Sequence, residues 1–177
     1  MNTITNSIKL SGVDAEKMGT LIRTDDTSDI TYKEYKYDAY DITFNLPDTF
    51  ELQQQVSSAS GYDMYGTMSF AVSSINNSSI AQGMSLKELI NNTLKTMKEN
   101  KNILNVSETE TKTINGKNVY IIEYDNKDTD GSTTHVREYY AESNQVFHCF
   151  AIFVESIYFG ENVKNAISEF EKTLRFN

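Results

Sequence analysis

The order of elements between Met84 and Asn177 constrains this chain more than any other feature. It runs helix, hairpin, hairpin, long strand, helix, which asks for an antiparallel sheet with helices packed on it. Ser85 and Glu88 stand three apart where the first helix begins. At that spacing each side chain satisfies a backbone donor that the helix start leaves open. Leu86, Leu89, Ile90, Leu94 and Met97 then form one apolar stripe, with Lys87, Glu88, Asn91, Lys95 and Lys98 on the other face. A helix patterned this way lies on a sheet with its polar face in water.

The strands that follow pair by arithmetic. Asn115-Gly116 is the signature of a two-residue hairpin, because both positions want a left-handed backbone. Asp130-Gly131 marks a second turn, with a two-residue or a four-residue loop, and Ser143-Asn144 a third. Two-residue loops set Lys112 opposite Val119, Ile122 opposite Tyr139, and Tyr139 opposite His148. This register puts Tyr120, Ile122, Tyr124, Arg137, Tyr139, His148, Phe150 and Ile152 on one face. Val119, Ile121, Val136, Tyr140, Phe147, Cys149 and Phe153 fall on the other. Val146 to Val154 is apolar on both faces, the mark of a central strand covered on both sides. Val163, Ile167, Phe170 and Leu174 let the final helix cover one side. The first helix takes the same side or the opposite one.

Upstream the pattern is weaker. Residues 1–36 read as a weakly structured N-terminal extension. Within it lie a short helical stretch, Val13 to Ile22, and a loop by composition, Thr24 to Asp29. Tyr35 and Tyr37 fit a strand period. The domain proper is residues 37–177. Tyr40 to Phe44 alternates as a strand, and Leu46-Pro47-Asp48 ends it, Pro47 being the chain's one proline. Phe50 to Val56 is a short strand, Ser57 to Gly61 a flexible loop, and Tyr65 to Ile75 a strand with Met68, Phe70 and Val72 on one face.

Bulk properties exclude several functions. A net charge of -9 over 177 residues argues against a nucleic-acid partner, which asks for a basic face. No stretch approaches the ~20 apolar residues needed to span a bilayer. The first ten residues lack the basic and apolar regions of a signal peptide, so the chain as it stands reads as cytoplasmic. The alternative is an exported lipoprotein domain with its signal removed. One cysteine, Cys149, rules out an intrachain disulfide.

Catalytic and cofactor signatures fail one by one. His135 and His148 fall four residues apart along the sheet, about 13 Å, which is too far to share a metal ion. Cys149 and His148 are neighbours in a strand and point to opposite faces, so they form no thiolate–imidazole pair. No phosphate loop, dinucleotide fingerprint or nucleophile elbow is present, and no cofactor is implied. Glu123 and Glu138 face each other in this register, a repulsive pair that would suit a hydrolase. The remaining candidate is a surface of Tyr120, Tyr124, Arg137, Tyr139 and His148, residue types that serve as contact anchors.

From Tyr40 onward the chain resembles the PsbP-like superfamily. The strand ending Asn45-Leu46-Pro47-Asp48-Thr49-Phe50 and the helix opening Ser85-Leu86-Lys87-Glu88-Leu89 carry the resemblance. So do Asn115-Gly116-Lys117, the Asp130-Gly131 hairpin, the Val146 to Phe153 strand and the ending Leu174-Arg175-Phe176. The superfamily includes photosystem II extrinsic proteins, DcrB-like proteins and Eag chaperones. The resemblance implies an α+β fold, an α/β/α sandwich around a mainly antiparallel sheet, with no shared catalytic site. It implies a non-enzymatic accessory or protein-interaction domain of bacterial type, with a protein as partner. The alternative is a small-molecule or lipid-binding domain with a pocket between sheet and helix, lined by Tyr120, Tyr124, Tyr139 and His148.

Overall fold

All paired strands in the computed structural model, which describes residues 30–63, 68–80 and 83–177, run antiparallel. In chain order the elements are β1 (Tyr32–Tyr37), β2 (Ile42–Pro47), β3 (Phe50–Gln54), β4 (Ser58–Asp63) and β5 (Met68–Asn76). Then come α1 (Leu86–Glu99), β6 (Ile103–Leu104), β7 (Glu110–Ile114), β8 (Lys117–Lys127) and β9 (Thr133–Ser143). The chain closes with β10 (Val146–Glu155), α2 (Glu161–Thr173) and β11 (Arg175–Phe176). Eight strands form one sheet in the order β3-β4-β5-β10-β9-β8-β6, with β7 also on β8. A small sheet, β1-β2-β11, lies apart from it.

β10 is central, as its two apolar faces require, with β5 on one side and β9 on the other. The two helices take opposite faces of the large sheet. α1 buries Leu86, Ile90 and Met97 against Ile122, Tyr124, Val136, Tyr140 and Phe147. α2 buries Val163, Ala166, Ile167 and Phe170, with Leu174 just beyond, on the other face together with β2. There Phe170 meets Phe44 of β2 at 5.5 Å, Phe70 of β5 at 5.7 Å and Phe150 of β10 at 5.9 Å. The molecule is therefore an α+β sandwich.

Local chemistry explains where elements begin. Ser85 Oγ accepts the Glu88 N–H at 3.3 Å, and the Glu88 carboxylate accepts the Ser85 N–H at 2.8 Å, completing the capping box. Asn115 (φ 46°) and Gly116 (φ 80°) form the expected left-handed turn, and Lys112 pairs with Val119. β6 and β7 share one edge of β8. Between them Ser107 bridges the gap, its hydroxyl accepting the Glu123 N–H at 2.9 Å.

The structure corrects the sequence in four places. The second turn is five residues long, from Asp128 to Ser132, with Lys127 paired to Thr133. Its carboxylates explain the length: Asp128 accepts from Asn126 and Thr134, and Asp130 from Ser132. Ile122 therefore pairs with Glu138 instead of Tyr139, a slip of one residue. The third turn is Asn144-Gln145, both left-handed, so His148 pairs with Ala141. Ser58 to Gly61, expected as a loop, belongs to β4, where Gly61 is required: a Cβ there would sit 2.2 Å from the Glu51 carbonyl oxygen. Finally, β1 pairs with β2 from Tyr32 onward, so residues 32–36 are sheet residues. The Val13–Ile22 helix, the Thr24–Asp29 loop and Tyr65 lie outside the described residues.

Candidate functional site

The one-residue slip in register divides the tyrosine-rich surface between two faces. Tyr120 and Tyr124 pack with the α1 cluster. Arg137, Tyr139 and His148 point to the α2 side. The five predicted contact residues are thus not one surface, and no single pocket can be lined by Tyr120, Tyr124, Tyr139 and His148.

Arg137, Tyr139 and Glu171 form a half-buried polar cluster under α2. Arg137 donates from Nε to the Tyr139 hydroxyl at 2.8 Å and from Nη2 to Glu171 at 2.8 Å, and its Nη1 pairs with Glu123. Tyr139 also donates to Glu171, and Lys112 pairs with the same carboxylate at 3.0 Å. Burial opposes charge on Glu171, but Lys112 and Arg137 outweigh it and hold its pKa below the usual carboxylate value. For Arg137 burial is likewise outweighed, by Tyr139, Glu123 and Glu171, so the guanidinium stays charged. Glu123 faces Arg137 and not Glu138, so the carboxylate pair expected for a hydrolase does not exist.

His148 is 1% exposed, and both ring nitrogens are bonded to hydroxyls. Nδ1 meets Ser74 Oγ at 2.8 Å and Nε2 meets Ser143 Oγ at 2.9 Å. Tyr40, Phe150 and Phe176 ring it. Burial pushes its pKa down to about 4, so the imidazole is neutral and serves the core. His135 lies at the far end of the same face, bonded to Asp125 at 2.9 Å. It pairs with Val154 while His148 pairs with Ala141, so about 20 Å of strand separates the two rings.

On the α1 side Glu138 accepts hydroxyl hydrogen bonds from Tyr124 and Tyr140. Cys149 lies beside them, its thiol pushed up to about 12 by burial and by the Glu138 charge, and is inert as a nucleophile.

What the sequence missed is the bare half of the large sheet. Among the described residues, α1 covers the β6, β8, β9 and β10 half and leaves the same face of β3, β4 and β5 open, with Gln53, Ser60 and Tyr62 exposed. Cross-strand pairing sets Gln53, Ser60, Ala71 and Ala151 in one row leading to Glu138. The neighbouring row is Glu51, Tyr62, Ser69 and Phe153. Between these rows lies a shallow depression of about 290 Å³. Tyr62, at 54% exposure, lines it, and Ile75, at 45%, lies beyond it on the same face of β5. The signal was present in β5, whose second face reads Ser69, Ala71, Ser73. Small residues there gave no apolar stripe to notice.

No family model and no curated protein sequence matches this chain. Solved structures do. A solution structure of cyanobacterial PsbP (CyanoP) from Synechocystis sp. PCC 6803 superposes with a TM-score of 0.60 at 11% identity, covering 86% of this chain and 96% of that one. PA94 from Pseudomonas aeruginosa, described as a protein of unknown function and putative regulator, gives 0.53 at 11% identity, covering 81% and 96%. LpqN of Mycobacterium tuberculosis, described as involved in cell envelope biogenesis, gives 0.52 at 8% identity, covering 84% and 91%. The chain has a PsbP-like fold. At these identities the likeness is one of fold alone. No helix among the described residues is long and apolar enough to cross a membrane.

Proposed function

We propose that this chain is a non-enzymatic accessory domain of bacterial type that holds a protein partner against the open half of its large sheet. The observation that carries this is the bare face of β3, β4 and β5, with Tyr62 and Ile75 exposed at its ends over a floor of Ser60, Ala71 and Ser69. Small side chains let another surface approach the sheet closely, and exposed aromatic groups serve as anchors. The regulatory and envelope roles in the descriptions of PA94 and LpqN fit such a reading.

Ala71→Arg puts a charged side chain in the middle of that floor without touching the buried core. A protein that co-purifies with the wild-type chain and is lost on Ala71→Arg, with the unfolding midpoint unchanged, is the expected result. A partner that Ala71→Arg retains, or measured turnover of a substrate by the purified chain, overturns the reading.

A further inference from the structure

We propose that the cleft between β1 and β3 is a strand-pairing slot for an extended segment of another protein. This rests on the reading of the chain as a protein-interaction domain and assigns it a second, main-chain contact. Each of the two strands is the outer member of its own sheet, and among the described residues neither has a strand on that side. They face each other across a cleft of about 560 Å³.

What spans the cleft is a side chain behaving as a backbone. The Gln54 amide donates to the Lys36 carbonyl at 2.8 Å and accepts the Asp38 N–H at 3.0 Å. A carbonyl and the N–H two residues later, bound by one residue, is the pattern of a parallel neighbour strand. Gln54 therefore occupies the position of one residue of a missing strand running parallel to β1. At the other end the Tyr35 hydroxyl donates to the carbonyls of Pro47 and Phe50, at 3.0 and 2.8 Å.

Between these two plugs, backbone groups point into the cleft. Along a strand successive residues point their N–H and C=O to alternate sides, so Glu34 faces the same way as Lys36. On β3, Gln55 bonds to Ser58 of the partner strand, which turns Leu52 toward the cleft, as Phe50 is. An unpaired edge of this kind binds extended peptides through their main chain. The rim carries Lys33, Glu34, Lys36, Asp38 and Glu51, a mixture of charge that selects for no single side chain.

The test is selection of a displayed library of random peptides on the immobilised full chain, followed by titration of the selected peptides against two variants. Glu34→Pro removes one N–H aimed into the cleft and leaves the ladder to β2 intact. It is expected to weaken binding about tenfold, the worth of one main-chain hydrogen bond. Gln54→Ala removes the plug and is expected to tighten binding, so a misfolded Glu34→Pro does not decide the matter alone. N-methylation of alternate peptide residues is expected to abolish binding. A library that yields no binder, or binders indifferent to both variants, overturns the slot. Binders lost on Ala71→Arg but unaffected by Glu34→Pro and Gln54→Ala overturn the slot and leave the interaction reading standing.

Discussion

Glu123 and Arg137 stand directly opposite each other on β8 and β9, and their ion pair is the outer edge of a network that reaches α2 through Glu171. The network fastens the last helix to the sheet. Glu171→Ala leaves Arg137 and Tyr139 facing a hole, with Glu123 as partial compensation. A loss of about 2 kcal/mol is expected in urea unfolding, below the range for a fully buried pair because Glu123 and Lys112 reach solvent. The same substitution made in an Arg137→Met background is expected to cost clearly less.

Acid is expected to destabilise the fold in two windows. The unfolded chain takes up a proton on His148 near the ordinary value of about 6.5, while the folded ring stays neutral down to about 4. The unfolded state thus binds more protons between those values, and stability falls as pH drops through them, by on the order of 3 kcal/mol. Glu171 has a lowered folded pKa, so its contribution is present above the ordinary carboxylate value and is lost at lower pH, as the medium passes through the folded value. Unfolding free energies of His148→Gln should be flat across the first window where the wild type slopes.

Gly61→Ala should be among the most damaging single changes in β4. The added methyl carbon would lie 2.2 Å from the Glu51 carbonyl, and backbone must move to admit it. A loss of roughly 2 kcal/mol is expected from overpacking, read as a lower thermal midpoint. An unchanged midpoint contradicts the packing described for β3 and β4.

Cys149 should resist a thiol reagent in the folded protein at neutral pH and react at once in denaturant. Its thiol is pushed up to about 12 by burial first and by Glu138 second, so almost no thiolate is present. Rapid labelling of the native chain contradicts this environment.

Much of the architecture was legible because each element carries its own instructions. The Ser85–Glu88 box starts α1, the stripe from Val163 to Leu174 seats α2, and Asn115-Gly116 sets Lys112 against Val119. The single tyrosine-rich surface that the sequence suggests does not form, for one physical reason. Turn length depends on which side chains bond to the turn, and the Asp128 and Asp130 contacts lengthen it to five residues. A slip of one in a strand exchanges its faces, so Tyr124 and Tyr139 part company although the strands themselves were placed well. β4 reads as a loop in the sequence because Ser58-Ala59-Ser60-Gly61 has the composition of one. Its membership in the sheet comes from neighbours on both sides, which local sequence does not encode.

The placement of α1 on the β6, β8, β9 and β10 half of the large sheet makes the molecule unequal in thickness. One half of the large sheet is sandwiched between helices, and the other is backed on a single side. Opening β3 and β4 exposes less apolar surface than opening β9 or β10, so hydrogen exchange should run fastest in the thin half. A chain built this way keeps its rigidity at one end and its adaptability at the other, and both the open face and the strand-pairing slot lie at the adaptable end.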